Sequence, residues 1–101
     1  MLDAIERINA FVADMDFADF GADRKTVDAV VRNIEIIGEA AGYVPEDVQR
    51  RHPEIPWSRM RGMRNVLIHR YNDVSLPILW QTITGNLQPL VPLLRAIIEE
   101  E

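Results

Sequence analysis

The chain of 101 residues contains no cysteine. Disulfide bonds, thiolate nucleophiles and cysteine-ligated zinc or iron–sulfur sites are therefore excluded. The absence also fits a protein that functions in the reducing environment of the cytoplasm.

Long apolar segments are missing as well. No apolar run approaches the roughly 20 residues that a helix needs to span a bilayer. The segment from Met1 to Met15 is amphipathic and acidic, whereas a signal peptide starts with basic residues. We therefore expect a soluble, cytoplasmic protein with no membrane partner.

Several enzyme motifs are absent. The sequence has no glycine-rich phosphate loop, no H-E-x-x-H and no G-x-S-x-G. His52 and His69 are the only histidines, and neither stands beside the clustered carboxylates that a histidine-based zinc site would need. We expect no metal and no cofactor.

Positive charge is scarce overall but concentrated in one segment. The formal net charge is −5, which argues against a general nucleic-acid coat protein. Residues 50–70, however, hold six arginines and one acidic residue, whereas the remainder holds five basic and fifteen acidic residues. This asymmetry predicts either one anion-facing surface on an acidic body or a solvated arginine-rich helix.

Nearly half of the residues are apolar, and at this length they predict one domain, residues 1–101, with one core. Apolar residues at helical spacing predict a first amphipathic helix over residues 2–15, followed by an interruption over residues 16–22. Asp23 is suited to cap a second helix, whose buried face we expect to comprise Val27, Val30, Ile34, Ile37, Ala41 and Val44.

Prolines mark the boundaries in the second half. Pro45 predicts a short helix that ends before His52-Pro53. Pro56 opens the next helix, with Trp57, Met60 and Arg64 on its apolar face and Asn72-Asp73 at its end.

Ser75 is suited to cap a last helix, in which Pro89 and Pro92 predict a kink or a break. The acidic end, residues 99–101, is expected to fray because negative charge is unfavourable at a helix C-terminus. Four main helices and one short helix predict an all-α, antiparallel up-and-down bundle, and its apolar faces make a homodimer plausible.

The octet of residues 64–71 places reactive polar groups on a mainly apolar helix. Arg64 lies on the apolar stripe, where a buried guanidinium needs an anion or a cleft. Glu35 and Glu39 on the second helix are its candidate partners, so an ion pair that joins two helices is one interpretation. The corresponding structural interpretations are that His69 caps the helix or packs as a ring, and that Tyr71 packs at the edge of the core.

Helix geometry constrains the catalytic interpretation. His69 follows Arg64 by five residues, about 140° around a regular helix, so the two do not share a face unless the helix unwinds. Tyr71, seven residues after Arg64, returns to its stripe. One resolution is a composite site in which two subunits contribute Arg64 and His69 to a shared cleft.

This octet resembles the HEPN superfamily, whose nucleases carry R-x(4–6)-H with a polar residue after the arginine, as Asn65 is here. Its HepT branch extends the motif to R-x-x-x-x-H-x-Y, which Arg64, His69 and Tyr71 match. The blocks 28–30, 32–40, 55–57, 62–69 and 79–80 carry the resemblance along nearly the whole chain. One departure is residues 72–75, Asn-Asp-Val-Ser, where such proteins often have Phe-Gly-Val-Asp.

The resemblance implies a HEPN-like four-helix homodimer that cleaves RNA without a metal, as the toxin of a type VII-like toxin–antitoxin pair. His69 would act as the base, Arg64 would stabilise the phosphate and Asn65 would support them, with a 2′,3′-cyclic phosphate as the product. Arg59, Arg61 and Arg70 would guide the RNA. The antitoxin would be a minimal, MntA-like nucleotidyltransferase that attaches AMP to Tyr71.

Two other functions remain open at this point. One is a catalytically silent HEPN module that docks a nucleotidyltransferase or binds nucleotides. The other is a structural dimerisation bundle in which Arg64 pairs with Glu35 or Glu39 inside one subunit. The RNA target, the cleavage site and the modification state of Tyr71 do not follow from the sequence.

Overall fold

The computed structural model describes residues 1–70 and 75–100, together with the side chains of residues 1–63 and 75–99. This part of the chain contains only helices and turns, so the predicted all-α class is confirmed. The helices are α1 (Leu2–Phe11), α2 (Phe17–Ala22), α3 (Arg24–Tyr43), α4 (Glu46–Arg51), α5 (Trp57–Arg70), α6 (Leu76–Gln81) and α7 (Leu90–Glu100), with a π-helical turn (Thr82–Asn86) after α6. None of the described helices has the combined length and apolar character needed to cross a membrane.

Helix α3 is the central helix of the bundle and packs against α1, α2 and α5. It begins where predicted, because a carboxylate oxygen of Asp23 accepts a hydrogen bond from the backbone N–H of Thr26 at 3.2 Å. All but the last of its predicted apolar positions are buried, and Val44 is half-buried at its C-terminal end. The core combines this face with apolar residues of the surrounding elements: Ala4, Ile5, Ile8, Phe20, Ile55, Trp57, Met60, Leu79, Ile83, Leu87, Leu90 and Leu94.

The first helix ends four residues earlier than predicted. Helix α1 stops at Phe11, and the chain then turns through Asp14, whose φ of 64° lies in the left-handed region. Aspartate tolerates this region better than most side chains. Val12 and Met15 still pack against the core, which explains why their spacing mimicked a longer helix.

The predicted interruption over residues 16–22 is wrong, because this stretch contains helix α2. Asp16 and Asp19 form a reciprocal capping box: Asp16 Oδ1 accepts from the Asp19 backbone N–H at 2.8 Å, and Asp19 Oδ2 accepts from the Asp16 backbone N–H at 3.3 Å. Phe20 is fully buried and anchors this turn in the core.

The short helix α4 and the start of α5 follow the predicted boundaries. Helix α4 ends at Arg51, before His52-Pro53, and α5 begins directly after Pro56. The indole Nε1 of the buried Trp57 donates to the His52 carbonyl at 3.0 Å. This bond fixes the loop between α4 and α5, which is the loop that positions the candidate site.

The predicted break in the last helix is present. The α6 helix, capped by Ser75, passes into the π-helical turn, in which Leu87 N–H donates to the Thr82 carbonyl at 3.0 Å. The chain then breaks immediately before Pro89, and Pro92 lies in the first turn of α7, where proline is tolerated. Helix α7 continues through Glu99 and Glu100, so the predicted fraying is absent at these two residues. The predicted end of α5 at Asn72-Asp73 and the predicted fraying of Glu101 lie outside the described residues.

Candidate functional site

Helix α5 carries most of the predicted site. Its backbone is helical from Trp57 to Arg70 and includes Arg64, Asn65 and His69. The side chains of residues 64–70, and all of Tyr71, lie outside the described part of the chain. The roles of these residues therefore remain predictions, and Arg70 as an RNA ligand is among them.

The continuity of α5 bears on how Arg64 and His69 can act together. The backbone keeps α-helical geometry from one residue to the other, so their Cα–Cβ bonds diverge by about 140° around the axis. Of the two resolutions that the spacing allows, unwinding within this segment does not occur. A composite site with a second copy of the chain remains as the proposal.

The two glutamates predicted to support Arg64 lie on the central helix. A carboxylate oxygen of Glu35 lies 3.6 Å from Arg32 Nη1, one turn away, and its side chain is only 25% exposed. Glu39 is exposed. A pairing of either glutamate with Arg64 involves a side chain outside the described residues, so it stays a prediction.

Arg59 and Arg61 lie in the first two turns of α5 and face an open groove between α4 and α5. Arg59 is exposed, whereas Arg61 is half-buried and donates through Nη1 to Gln49 Oε1 at 3.0 Å. The groove therefore collects part of the arginine-rich segment at one surface, which favours an anion-facing surface over a uniformly solvated helix.

Asn33 is a polar residue that sequence reasoning missed. Its side chain is only 6% exposed, and its Nδ2 donates to the Ala29 carbonyl at 2.8 Å. Its Oδ1 is buried without a hydrogen-bond partner among the described residues. The signal was present, because Asn33 interrupts the apolar stripe between Val30 and Ile37 at helical spacing.

Comparison with known proteins adds an independent finding. The family described as "Ribonuclease HepT-like" matches residues 1–97. A protein of Thermococcus cleftensis named "Probable ribonuclease HepT" is 47% identical over 88 residues, which are 87% of this chain and 80% of that protein.

Two further relatives carry the name "Putative RNase". One, from Methanocaldococcus jannaschii, is 34% identical over 100 residues, covering 99% of this chain and 83% of the relative. The other, from Caldanaerobacter subterraneus subsp. tengcongensis, is 36% identical over 97 residues, covering 96% of this chain and 83% of the relative. No solved structure matches the chain.

Proposed function

Because the chain belongs to the HepT-like ribonuclease family, we propose that it is a metal-independent endoribonuclease and the toxin of a type VII-like toxin–antitoxin pair. The observation that carries this proposal is the spacing of Arg64, His69 and Tyr71 in the sequence, with Arg64 and His69 on one continuous helix. The first turns of the same helix present Arg59 and Arg61 toward an open groove. Cationic and proton-transferring groups thus follow one another along α5.

The residues suit RNA cleavage by internal transfer. His69 takes the proton of the ribose 2′-hydroxyl, the 2′ oxygen bonds to phosphorus, and the bond from phosphorus to the 5′ oxygen breaks. Arg64 stabilises the charge on the pentacoordinate phosphorus. The products are a 2′,3′-cyclic phosphate and a 5′-hydroxyl. An imidazole, with an ordinary pKa of about 6.5, suits this proton transfer at neutral pH.

A homodimer completes this chemistry. In-line displacement places the attacking and leaving oxygens on opposite sides of phosphorus, so one imidazole does not serve both. His69 of a second copy then supplies the proton to the 5′ oxygen, and the two transfers balance. The divergence of Arg64 and His69 around α5 is the structural reason to invoke a second copy.

Control of the toxin is the second part of the proposal. An MntA-like nucleotidyltransferase attaches AMP to Tyr71, which places phosphate charge seven residues after Arg64 in the sequence. That phosphate occupies the anion site and repels the RNA backbone. Intact-mass measurement after co-expression with such an enzyme should show additions in units of AMP, and Tyr71→Phe should abolish them.

The activity is tested with the purified, unmodified chain and a set of structured and unstructured RNAs. Cleavage should persist in EDTA, leave cyclic phosphate ends, and disappear in both His69→Ala and Arg64→Ala. Arg95→Ala is the matched control, because Arg95 lies on α7 and pairs with Glu6 of α1 at 3.3 Å, outside the proposed site. That variant should cleave as the wild type does.

A different result would favour the silent module. If the unmodified chain left every RNA intact, and if expression of wild-type and His69→Ala proteins were equally harmless to cells, the ribonuclease proposal would be wrong. Tight nucleotide binding without RNA turnover would then identify a module that binds nucleotides or docks a nucleotidyltransferase.

A further inference from the structure

The open groove between α4 and α5 has a volume of about 610 Å³. Its cationic side chains come from two different elements, since Arg50 belongs to α4, and Arg59 and Arg61 belong to α5. One acidic residue, Glu46, stands among them on the groove wall. The groove is therefore a net positive surface within a chain whose formal net charge is −5.

The guanidinium of Arg61 is held in place by a neutral partner. Gln49 Nε2 donates to the Val44 carbonyl at 2.8 Å, which leaves its Oε1 facing Arg61 Nη1 at 3.0 Å. Because an amide carries no net charge, this contact orients the cation without neutralising it. No other side chain among the described residues pairs with the Arg61 guanidinium, so its remaining N–H groups are available to an anion.

The other two arginines also keep their charge available. Arg50 Nη1 lies 3.8 Å from Glu46, and the side chains are 73% and 90% exposed, so the pair is weak and readily exchanged. Arg59 is exposed at the first turn of α5.

The groove adjoins the part of α5 that leads to the catalytic motif. Arg61 precedes Arg64 by three positions, a rise of roughly 5 Å along the axis and about 60° around it, whereas Arg59 precedes it by five positions and lies about 140° around the axis. Arg50 then extends the row of cations onto α4. An open groove with spaced cations matches successive phosphates of one strand better than a single small anion.

We infer that this groove binds the backbone phosphates of the RNA that flanks the cleaved bond, with Arg50, Arg59 and Arg61 as ligands. Gln49 is a positioning residue that holds Arg61 in its charged, unneutralised state. This inference rests on the proposed function, and it assigns Gln49 and Arg50 roles that the motif does not include. It predicts that substrates long enough to enter the groove bind more tightly than substrates that end at the cleaved bond.

The sharpest test is Gln49→Glu. A carboxylate at this position neutralises Arg61 through a charge-assisted contact, which offsets the loss of the hydrogen bond that Gln49 Nε2 donates to the Val44 carbonyl. The variant should therefore stay folded yet bind RNA about five- to tenfold more weakly. A purely structural role of Gln49 predicts that the folded variant binds RNA as the wild type does.

Binding is measured by fluorescence anisotropy with a labelled single strand of about twelve nucleotides whose 2′ oxygens are all methylated, so that no cleavage interferes. Arg50→Gln, a substitution at an exposed side chain, should weaken binding similarly. Its plot of log affinity against log salt should be shallower by about 0.7 per lost phosphate contact. Arg7→Gln, on the exposed side of α1, lowers net charge equally and should bind like the wild type.

Kinetics separates the groove from the catalytic motif. Gln49→Glu and Arg50→Gln should raise KM for the long RNA several-fold with little change in kcat, and leave cleavage of a dinucleotide unchanged. If both variants bind and cleave the long RNA as Arg7→Gln does, the groove assignment is wrong and the ribonuclease proposal is unaffected. If no RNA is cleaved while both variants still weaken binding, the groove stands and the activity proposal is wrong.

Discussion

Replacing Asn33 with leucine should make the protein more stable. The Asn33 side chain is buried on the central helix, and its Oδ1 has no hydrogen-bond partner among the described residues. Leucine has a similar size and suits the apolar stripe that Asn33 interrupts. The substitution removes a buried polar group whose only described hydrogen bond is Nδ2 to the Ala29 carbonyl.

The size of the effect follows from three contributions. A buried acceptor without a partner costs about 1 to 3 kcal/mol. The lost bond to Ala29 was worth about 1 kcal/mol, and the helix still satisfies that carbonyl. Burying the added apolar surface contributes roughly 1 kcal/mol in favour of leucine, after allowance for imperfect packing. The free energy of unfolding should thus rise by about 1 to 3 kcal/mol, which corresponds to roughly 4 to 24 °C in Tm.

Urea unfolding followed by circular dichroism measures this difference, and an unchanged slope against denaturant confirms that only stability has altered. Asn33→Asp is the matched control because it keeps the shape of the side chain. Burial raises the pKa of the introduced carboxyl group in the folded state. The folded state then binds more protons than the unfolded state, so this variant should lose stability as pH rises and recover at acidic pH.

An Asn33→Leu protein that is less stable than the wild type by 1 kcal/mol or more would contradict the expected gain. That result would mean that Oδ1 is paired in solution. If Asn33→Asp were as stable as the wild type at every pH, the side chain at this position would be open to water.

Three further substitutions test the fold that supports the site. The side-chain and backbone hydrogen bonds from Thr26 hold the pKa of Asp23 below its usual value, so Asp23→Ala should lower Tm at neutral pH. The difference in Tm between this variant and the wild type should disappear as pH falls below about 4. Asp23→Asn, which still caps the helix, should show no such trend. Trp57→Phe removes the 3.0 Å bond to the His52 carbonyl and should cost about 1 to 3 kcal/mol in urea unfolding; no loss would mean that water replaces the indole. Ile34→Ala, at a fully buried position of the central helix, should cost about 2 to 5 kcal/mol, and a loss under 1 kcal/mol would contradict the packing described for α3.

The boundaries that the sequence predicted correctly are those with a local cause. Asp23, Pro56 and Ser75 each act on N–H groups or backbone angles within a few residues, so their effect is readable without the fold. The apolar stripe of α3 is equally local, because helical periodicity places its members on one face. The prediction failed where Val12 and Met15 extended an apolar pattern past the point at which α1 ends.

The same distinction between local and long-range causes applies to the candidate site. The spacing of Arg64, His69 and Tyr71 and the run of arginines are properties of the sequence, and the family match over residues 1–97 agrees with the resemblance drawn from them. Neither the contact between Gln49 and Arg61 nor the groove beside it followed from spacing, because the two residues lie on different helices. The way in which α4 and α5 pack together determines both the contact and the groove.

The sequence by itself thus determined the all-α class, the main helix caps and the family. It also determined that Arg64 and His69 diverge around a regular helix. Only the tertiary structure decided that Asn33 is buried with an open acceptor, that a short helix follows Asp16, and that arginines from two helices line one groove. The physical reason is that caps and periodicity act over a few residues, whereas burial and groove formation depend on how distant segments pack.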